Sequence, residues 1–164
     1  QDIPRFAQLG VIPSMQGSHQ SSDAPMAMNR IGWTRAQGAY PWRSLLSTGV
    51  VIPNGSDFPV EAVNPFIGFH ALVSRQDASN WPAGGWFPDE RMTRDEALLS
   101  MTMWPAYASF TEGVQGSLTP GKYADFVVLS QDIMSVAPDR ILDTRVLMTV
   151  LGGQVVYQKE GWQP

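Results

Sequence analysis

Asp57 is the residue whose type and position best suit catalytic chemistry in this sequence. It stands in the stretch Gly-Ser-Asp-Phe-Pro-Val at residues 55–60, directly after the apolar run 50–52. In parallel α/β folds, active-site residues lie at the carboxyl ends of strands. A carboxylate there binds a divalent metal ion, or takes the proton from a metal-bound water whose pKa the metal has lowered. The alternative is an aspartate that caps the next helix from a tight turn, and spacing alone favours that alternative.

His19 is the second candidate, because it lies in a polar loop after an earlier apolar run, residues 11–12. In a barrel, that position would face the same end as Asp57, where an imidazole orients substrate, donates a hydrogen bond or binds metal. The alternative is a loop histidine bonded to the backbone, and a lone histidine is weak evidence for a site. The other histidine, His70, lies in a stretch predicted to be helical and is interpreted as structural.

The two candidates end two stretches that share one plan, residues 5–19 and 42–57. In each stretch a short amphipathic helix runs into a glycine, an apolar run follows, and a polar loop carries the ionisable residue. Glycine tolerates the left-handed conformation that ends helices, and short apolar runs suit buried parallel strands. We therefore predict that residues 11–15 and 50–53 are adjacent parallel strands of an α/β protein, with both candidates at the same end.

Residues 60–92 contain a predicted short helix at 66–73 and then a long loop rich in tryptophan, proline and glycine. Loops of this length are often functional lids. A surface loop that is pinned by its aromatic side chains is an equally good interpretation.

The remaining chain changes from helix to strand. Thr93 and Glu96 form a capping box ahead of an apolar helix, which Pro105 is expected to break. Further on, the pattern predicts a strand at 124–129, and a hairpin of strands 146–151 and 154–158 that turns at two glycines.

Composition excludes several classes of protein. The 164 residues are 43% hydrophobic and 16% charged, which is a globular balance. The net charge is −4 and no basic cluster stands out, so nucleic-acid binding has no support. No apolar run is long enough to cross a membrane. Cysteine is absent, and two histidines fall short of the roughly three protein ligands that a hydrolytic metal site usually needs.

Two motifs carry a family resemblance. Residues 55–61 read GSDFPVE, and residues 116–129 read GSLTPGKYADFVVL. Together they resemble the amidohydrolase superfamily and, more narrowly, the amidohydrolase-3 branch, which includes enzymes like N-substituted formamide deformylase. Stretches 96–98, 106–110 and 149–157 fit the same order, so the resemblance covers nearly the whole chain.

The resemblance implies a fold. Members have a TIM-type (β/α)8 barrel with a metal centre at the carboxyl ends of the strands, and a small β domain. By resemblance, residues 1–112 are the C-terminal part of the barrel, with its last two β/α units. Residues 113–164 are then strands of a small β-sandwich domain.

The resemblance also implies residue roles. Asp57 matches the aspartate after the eighth strand, which binds metal and shuttles the proton from the attacking water. His19 matches a position after the seventh strand, in a loop where relatives often read Gln-Pro-x-His. Here residues 16–19 read Gln-Gly-Ser-His, without the proline. By resemblance we assign His19, Gln16 and Phe58 to substrate binding, and Asp57 to catalysis and to the metal.

The implied activity is the hydrolysis of a non-peptide C–N bond of amide type in a small molecule, with a divalent metal, expected to be zinc. The family's His-x-His motif and its later histidines would lie upstream, so this chain is expected to be inactive by itself. Two alternatives stay open: a non-catalytic binding module built from the same piece of fold, and a superfamily deaminase or cyclic amidase. The open sheet edges must be covered by the rest of the barrel, a partner chain or self-association. The sequence leaves the compartment unknown and favours the cytoplasm slightly, and an N-terminus that could carry a signal is expected to lie outside this chain.

Overall fold

The protein, seen in a computed structural model that describes residues 2–163, contains helices followed by a small sheet. The helices are α1 (Ile3–Leu9), α2 (Gly17–Ala36), α3 (Trp42–Leu46), α4 (Pro65–Ser74), α5 (Arg94–Met101) and α6 (Met103–Ala108). The strands are β1 (Phe126–Leu129), β2 (Val146–Leu151) and β3 (Gln154–Gln158). Short 3₁₀ turns lie at Pro88–Glu90 and Pro138–Asp143.

The repeated helix–glycine–apolar plan is present in both places. Helix α1 ends at Gly10 with φ 66°, and Gly49 has φ 90° just after α3. The apolar segments that follow run parallel and meet at a single bridge between Met15 and Asn54. The predicted neighbours are thus adjacent and parallel, but they touch over one residue pair rather than forming full strands.

The prediction that His19 lies in a polar loop is wrong. Helix α2 begins at Gly17, so His19 lies in its first turn. The helix contains Pro25, and its backbone departs from helical geometry at Gly32 (φ 73°, ψ 166°). Sequence reasoning missed this helix because serines, glycines and a proline interrupt its apolar spacing.

The predicted helix at 66–73 is confirmed as α4, which Asn64 caps by accepting the N–H of Phe66 at 3.0 Å. The long loop behind it packs closely, with Arg75 and Trp86 buried. These contacts favour the pinned loop over the lid.

The capping box is confirmed at the start of α5, where Thr93 and Glu96 accept each other's backbone N–H groups. The expected break at Pro105 is displaced. The chain breaks at Thr102 (φ −130°, ψ −82°), and Pro105 fits within the first turn of α6, where its missing N–H costs nothing.

The three strands form an antiparallel sheet in the order β1-β2-β3. The predicted hairpin is confirmed, and both turn glycines, Gly152 and Gly153, have positive φ. Such a two-residue turn matches the twist of the strands.

The main hydrophobic core lies between α3, α4 and α5 and extends toward the sheet. It is formed by buried Trp42, Leu45, Ile52, Phe66, Phe69, Leu72, Met92, Ala97 and Ile141. Ile141 comes from the 3₁₀ turn before β2, which packs on α4. Among residues 2–163, no helix is both long and apolar enough to cross a membrane.

Candidate functional site

His19 and Asp57 face each other across the parallel segments. The His19 Nε2 atom lies 4.0 Å from Asp57 Oδ2, which is too long for a hydrogen bond but close enough for a protonated imidazole to attract the carboxylate. Two residues 38 positions apart, singled out from sequence, therefore meet at one end of the structure. The His19 Nε2 atom is buried and has no hydrogen-bond partner in the described part of the chain.

The Asp57 carboxylate is free to bind. Its side chain is 56% exposed, and none of the residues 2–163 donates a hydrogen bond to it. The backbone at Asp57 is left-handed, with φ 55°, and its carbonyl accepts the N–H of Val60 in a tight turn. The capping position of α4 belongs to Asn64, so Asp57 does not serve as the helix cap that spacing alone suggested.

Gln16 and Phe58 flank the pair. Gln16 is the residue before α2 and its side chain forms no cap, which leaves its amide available. Phe58 follows Asp57 and is 63% exposed. The structure thus brings all four predicted site residues to the same end of the two parallel segments, Gln16 and His19 after one and Asp57 and Phe58 after the other.

Asn54, which sequence reasoning missed, ties the two halves of the site together. Its Oδ1 atom accepts the Gly17 N–H at 2.7 Å, while its own N–H donates to the Ser100 carbonyl at 2.8 Å. Asparagine before a glycine reads as an ordinary turn residue, so the sequence carried no signal of this role.

Further bonds join α2 to its surroundings beside the site. The Ser22 hydroxyl donates to Glu61 Oε1 at 2.7 Å, and the Tyr40 hydroxyl donates to Asp23 Oδ2 at 2.5 Å. Burial and the Asp23 hydrogen bond raise the pKa of Tyr40, so this phenol stays protonated. Asp23 and Glu61 are therefore hydrogen-bond acceptors near the site.

A small cavity of about 170 Å³ lies beside residues 55–64, which form the Asp57 loop. Its polar lining comes from Ser18, Asn54, Ser56 and Asn64, and its apolar lining includes Ile67 and Met101. Ser18 and Ser56 each precede a candidate residue in sequence, but the side chains of His19 and Asp57 do not line this cavity.

The residues that the structure describes do not form a complete metal site. Within residues 2–163, no group of three or more His, Asp or Glu side chains is arranged to hold a metal ion. The exposed, unbonded carboxylate of Asp57 fits the requirement for one anionic ligand.

His70 lies apart from the site. It is fully buried in α4, its Nε2 atom bonds to Asn80 Oδ1 at 3.0 Å, and its burial lowers its pKa. The structural interpretation of His70 agrees with these contacts.

Sequence similarity identifies the class of protein to which this chain belongs. The amidohydrolase family matches residues 1–157, and the chain belongs to this family. It is 31% identical over 157 residues to YtcJ of Bacillus subtilis (strain 168), whose name assigns it to the amidohydrolases. It is also 34% identical over 122 residues to an N-substituted formamide deformylase from Arthrobacter pascens.

A solved structure agrees with the fold. A crystal structure of an uncharacterized metal-dependent hydrolase from Pyrococcus horikoshii superposes with a TM-score of 0.73, at 25% identity over 84% of this chain and 28% of the other. The sequence alignment with YtcJ covers 96% of this chain and 30% of YtcJ. The alignment with the deformylase covers 74% of this chain and 22% of the deformylase. The chain therefore corresponds to less than a third of these relatives and is an α/β segment related to TIM barrels.

Proposed function

We propose that this chain forms part of a metal-dependent amidohydrolase that cleaves a non-peptide C–N bond of amide type in a small molecule. The observation that carries the proposal is Asp57: an exposed carboxylate without hydrogen bonds, at the end of an apolar segment and facing His19. A structural aspartate would be expected to use its side-chain oxygens in a turn or cap, and the Asp57 carboxylate does neither.

Asp57 would have two tasks. One carboxylate oxygen would be a ligand of the divalent metal, for which zinc is the expected ion, and the other would accept the proton of the attacking water. When bound, the metal would lower the pKa of water and polarise the scissile carbonyl. The carboxylate would then pass the proton to the departing nitrogen, because an amine leaves more readily than an amide anion.

His19, Gln16 and Phe58 would hold the substrate. The buried His19 Nε2 has no hydrogen-bond partner in residues 2–163, so a bond to a substrate group would satisfy a polar atom that is otherwise unpaired. The exposed Phe58 ring offers an apolar surface beside the carboxylate. The remaining metal ligands would come from the rest of the barrel, with residues 1–112 as its C-terminal part and residues 113–164 as part of the β domain.

The test uses the complete polypeptide, stripped with a chelator and then reloaded with zinc. Substrates of three kinds separate the reactions: an N-substituted formamide, a cyclic amide and an amino-substituted heterocycle. The proposal expects zinc-dependent release of amine from the formamide. Ammonia release from the heterocycle would instead identify a deaminase, and ring opening a cyclic amidase. No turnover of any of them with zinc bound would support a non-catalytic binding module.

The isolated chain gives a second check. With Asp57 as a single ligand, it is expected to bind zinc weakly and to hydrolyse none of these substrates, because structural and catalytic zinc sites use about three or four protein ligands. Stoichiometric, tight zinc in the isolated chain would contradict the proposed division of ligands.

A further inference from the structure

We infer that Asn54 is a positioning residue that holds the His19 end of α2 against the Asp57 loop. The inference for the geometry of the pair rests on contacts within this chain. Its consequence for turnover rests on the proposed function.

The first step is the bond that begins the helix. Gly17 is the first residue of α2, and its N–H is one of the four that no residue of the helix itself can accept. The preceding residue, Gln16, provides no side-chain cap. Asn54 Oδ1 takes that place from another segment, at 2.7 Å from the Gly17 nitrogen. A helix cap is thus supplied across 37 residues of sequence.

The second step is that Asn54 is itself held in place. Its N–H donates to the Ser100 carbonyl at 2.8 Å, which ties it to the end of α5. The Met15 N–H donates to the Pro53 carbonyl at 3.0 Å, so the residue before Asn54 is fixed to the segment that enters α2. Asn54 is therefore held by backbone hydrogen bonds, and it contacts the start of α2 while the Asp57 loop follows it in the chain.

The third step is the close approach at Gly17. A Cβ atom there would lie 2.8 Å from the Gly68 carbonyl oxygen and 2.9 Å from Leu72 Cγ, both in α4. Only glycine lets α2 start this close to α4, and only a residue with an N–H can donate to Asn54. In the Gln-Pro-x-His pattern a proline stands at the position of Gly17. A proline there would have a Cβ atom and no N–H, so it could neither approach α4 this closely nor donate to Asn54.

These contacts bear directly on the His19–Asp57 pair. His19 is two residues after Gly17 in the same helical turn, and Asp57 is three residues after Asn54. Loss of the Asn54 acceptor frees the start of α2 while leaving the Asn54 backbone bond intact. We expect the 4.0 Å approach of Nε2 and Oδ2 to widen or become variable.

The chain's two histidines allow a direct spectroscopic test. In the isolated chain, Asp57→Asn is expected to shift the His19 imidazole resonances, because it removes the carboxylate that lies 4.0 Å from Nε2. In an Asn54→Leu background, the same change should produce less than half of that shift. The His70 resonances, which report on the Asn80 contact, serve as the internal control and should not respond.

Two more variants test whether an acceptor at position 54 is sufficient and guard against a leucine variant that does not fold. Asn54→Asp retains an acceptor at the helix N-terminus, where negative charge is favourable, and should restore most of the His19 response. Asn54→Ala replaces Asn54→Leu if leucine prevents folding. An equal His19 response to Asp57→Asn with and without the Asn54 acceptor would overturn the inference.

In the complete enzyme, Asn54→Leu is expected to lower kcat/KM by about 10-fold to 100-fold, since small misplacements of site groups carry large rate penalties. In a His19→Asn background it should lower kcat/KM by less than about 2-fold, because residues that act through one another are not additive. Full additivity would overturn the inference. If Asp57→Asn leaves turnover intact while the spectroscopic coupling persists, the proposed function fails and the positioning role stands.

Discussion

Two loops of this protein are built in opposite ways. The Asp57 loop, residues 55–64, leaves its carboxylate exposed and unbonded and its phenylalanine in solvent. The aromatic loop, residues 75–92, buries a charged side chain, Arg75, and a tryptophan, Trp86. Arg75 bonds to the Trp86 carbonyl within the loop and to the Tyr40 carbonyl outside it.

Arg75 shows how the aromatic loop is held. Its Nε donates to the Trp86 carbonyl at 2.8 Å and its Nη1 to the Tyr40 carbonyl at 2.9 Å. Its guanidinium lies 4.5 Å from the ring centre of Trp42 and 5.6 Å from that of Trp86. Burial lowers the pKa of Arg75 to about 10, which still leaves it charged at neutral pH.

Because of this difference, substitutions in the Asp57 loop and in the aromatic loop should affect different properties, the first catalysis and the second stability. Arg75 Nη2 and Trp86 Nε1 are buried without a hydrogen-bond partner among residues 2–163, but the other Arg75 nitrogens bond to carbonyls of the protein. Changes in this loop should therefore alter the free energy of unfolding. The Asp57 carboxylate bonds to nothing in the described residues, so a change there should alter chemistry and leave stability almost untouched. Four substitutions test this contrast, and they are ordered by expected size.

Asp57→Asn in the complete enzyme should reduce turnover by about 10²-fold to 10⁴-fold, the usual range for a lost general base. The melting temperature should not change, because asparagine tolerates the left-handed backbone at position 57 and no hydrogen bond is lost. Steady-state kinetics, metal content and a melting curve measure this. His19→Asn is the matched control and should raise KM while leaving metal content near wild type. Near-normal turnover of Asp57→Asn would show that Asp57 has only a structural role in its turn.

Arg75→Met should lower the free energy of unfolding by about 2 kcal/mol. The substitution leaves the Trp86 and Tyr40 carbonyls without their donor, and relief from burying a charge offsets part of that loss. Urea denaturation measures the change, and Arg30→Met, at an exposed position, is the control that should change little. An Arg75→Met protein as stable as wild type would show that the loop does not depend on this side chain.

His70→Gln should produce a pH-dependent loss of stability. Burial lowers the pKa of folded His70 below its unfolded value of about 6.5, so protons bind preferentially to the unfolded chain as pH falls through that value. Wild type should therefore lose stability as pH falls through the unfolded pKa, and the difference from His70→Gln should narrow toward acid. Unfolding curves at several pH values measure the gap. A gap that stays constant or widens toward acid would contradict the assigned direction.

Glu96→Gln should have the smallest effect, about 1 kcal/mol near neutral pH. Glu96 pairs with Arg43, which also donates to the Arg91 carbonyl at the end of the aromatic loop. The Arg43 hydrogen bond lowers the pKa of Glu96 to about 2, but the arginine side chain is 38% exposed and solvent screens the pair.

The Glu96 contribution should be complete above about pH 4.5, the unfolded pKa, and be lost as pH falls toward 2. The stability gap between wild type and Glu96→Gln should thus close in acid, in a window separate from that of His70. Glutamine keeps the capping box, so a loss independent of pH would assign the effect to the cap instead.

The sequence by itself determined the family, the order of most elements and the two residues that meet at the site. Gly10 and Gly49 predicted the helix ends because left-handed backbone favours glycine, and the capping box and hairpin followed from equally local rules. Asp57 and His19 could be paired because the two stretches repeat one plan, and parallel neighbours bring their ends together.

Tertiary structure decided the rest. Helix α2 lacks a clear apolar stripe, and its first N–H bonds to a residue 37 positions away, so no local window reveals where it begins. The roles of Asn54 and Arg75 depend on which carbonyls and N–H groups lie within about 3 Å in space, a distance that sequence separation does not encode. Whether Asp57 capped a helix or stood free was decided by Asn64, which occupies the capping position and leaves the carboxylate unbonded.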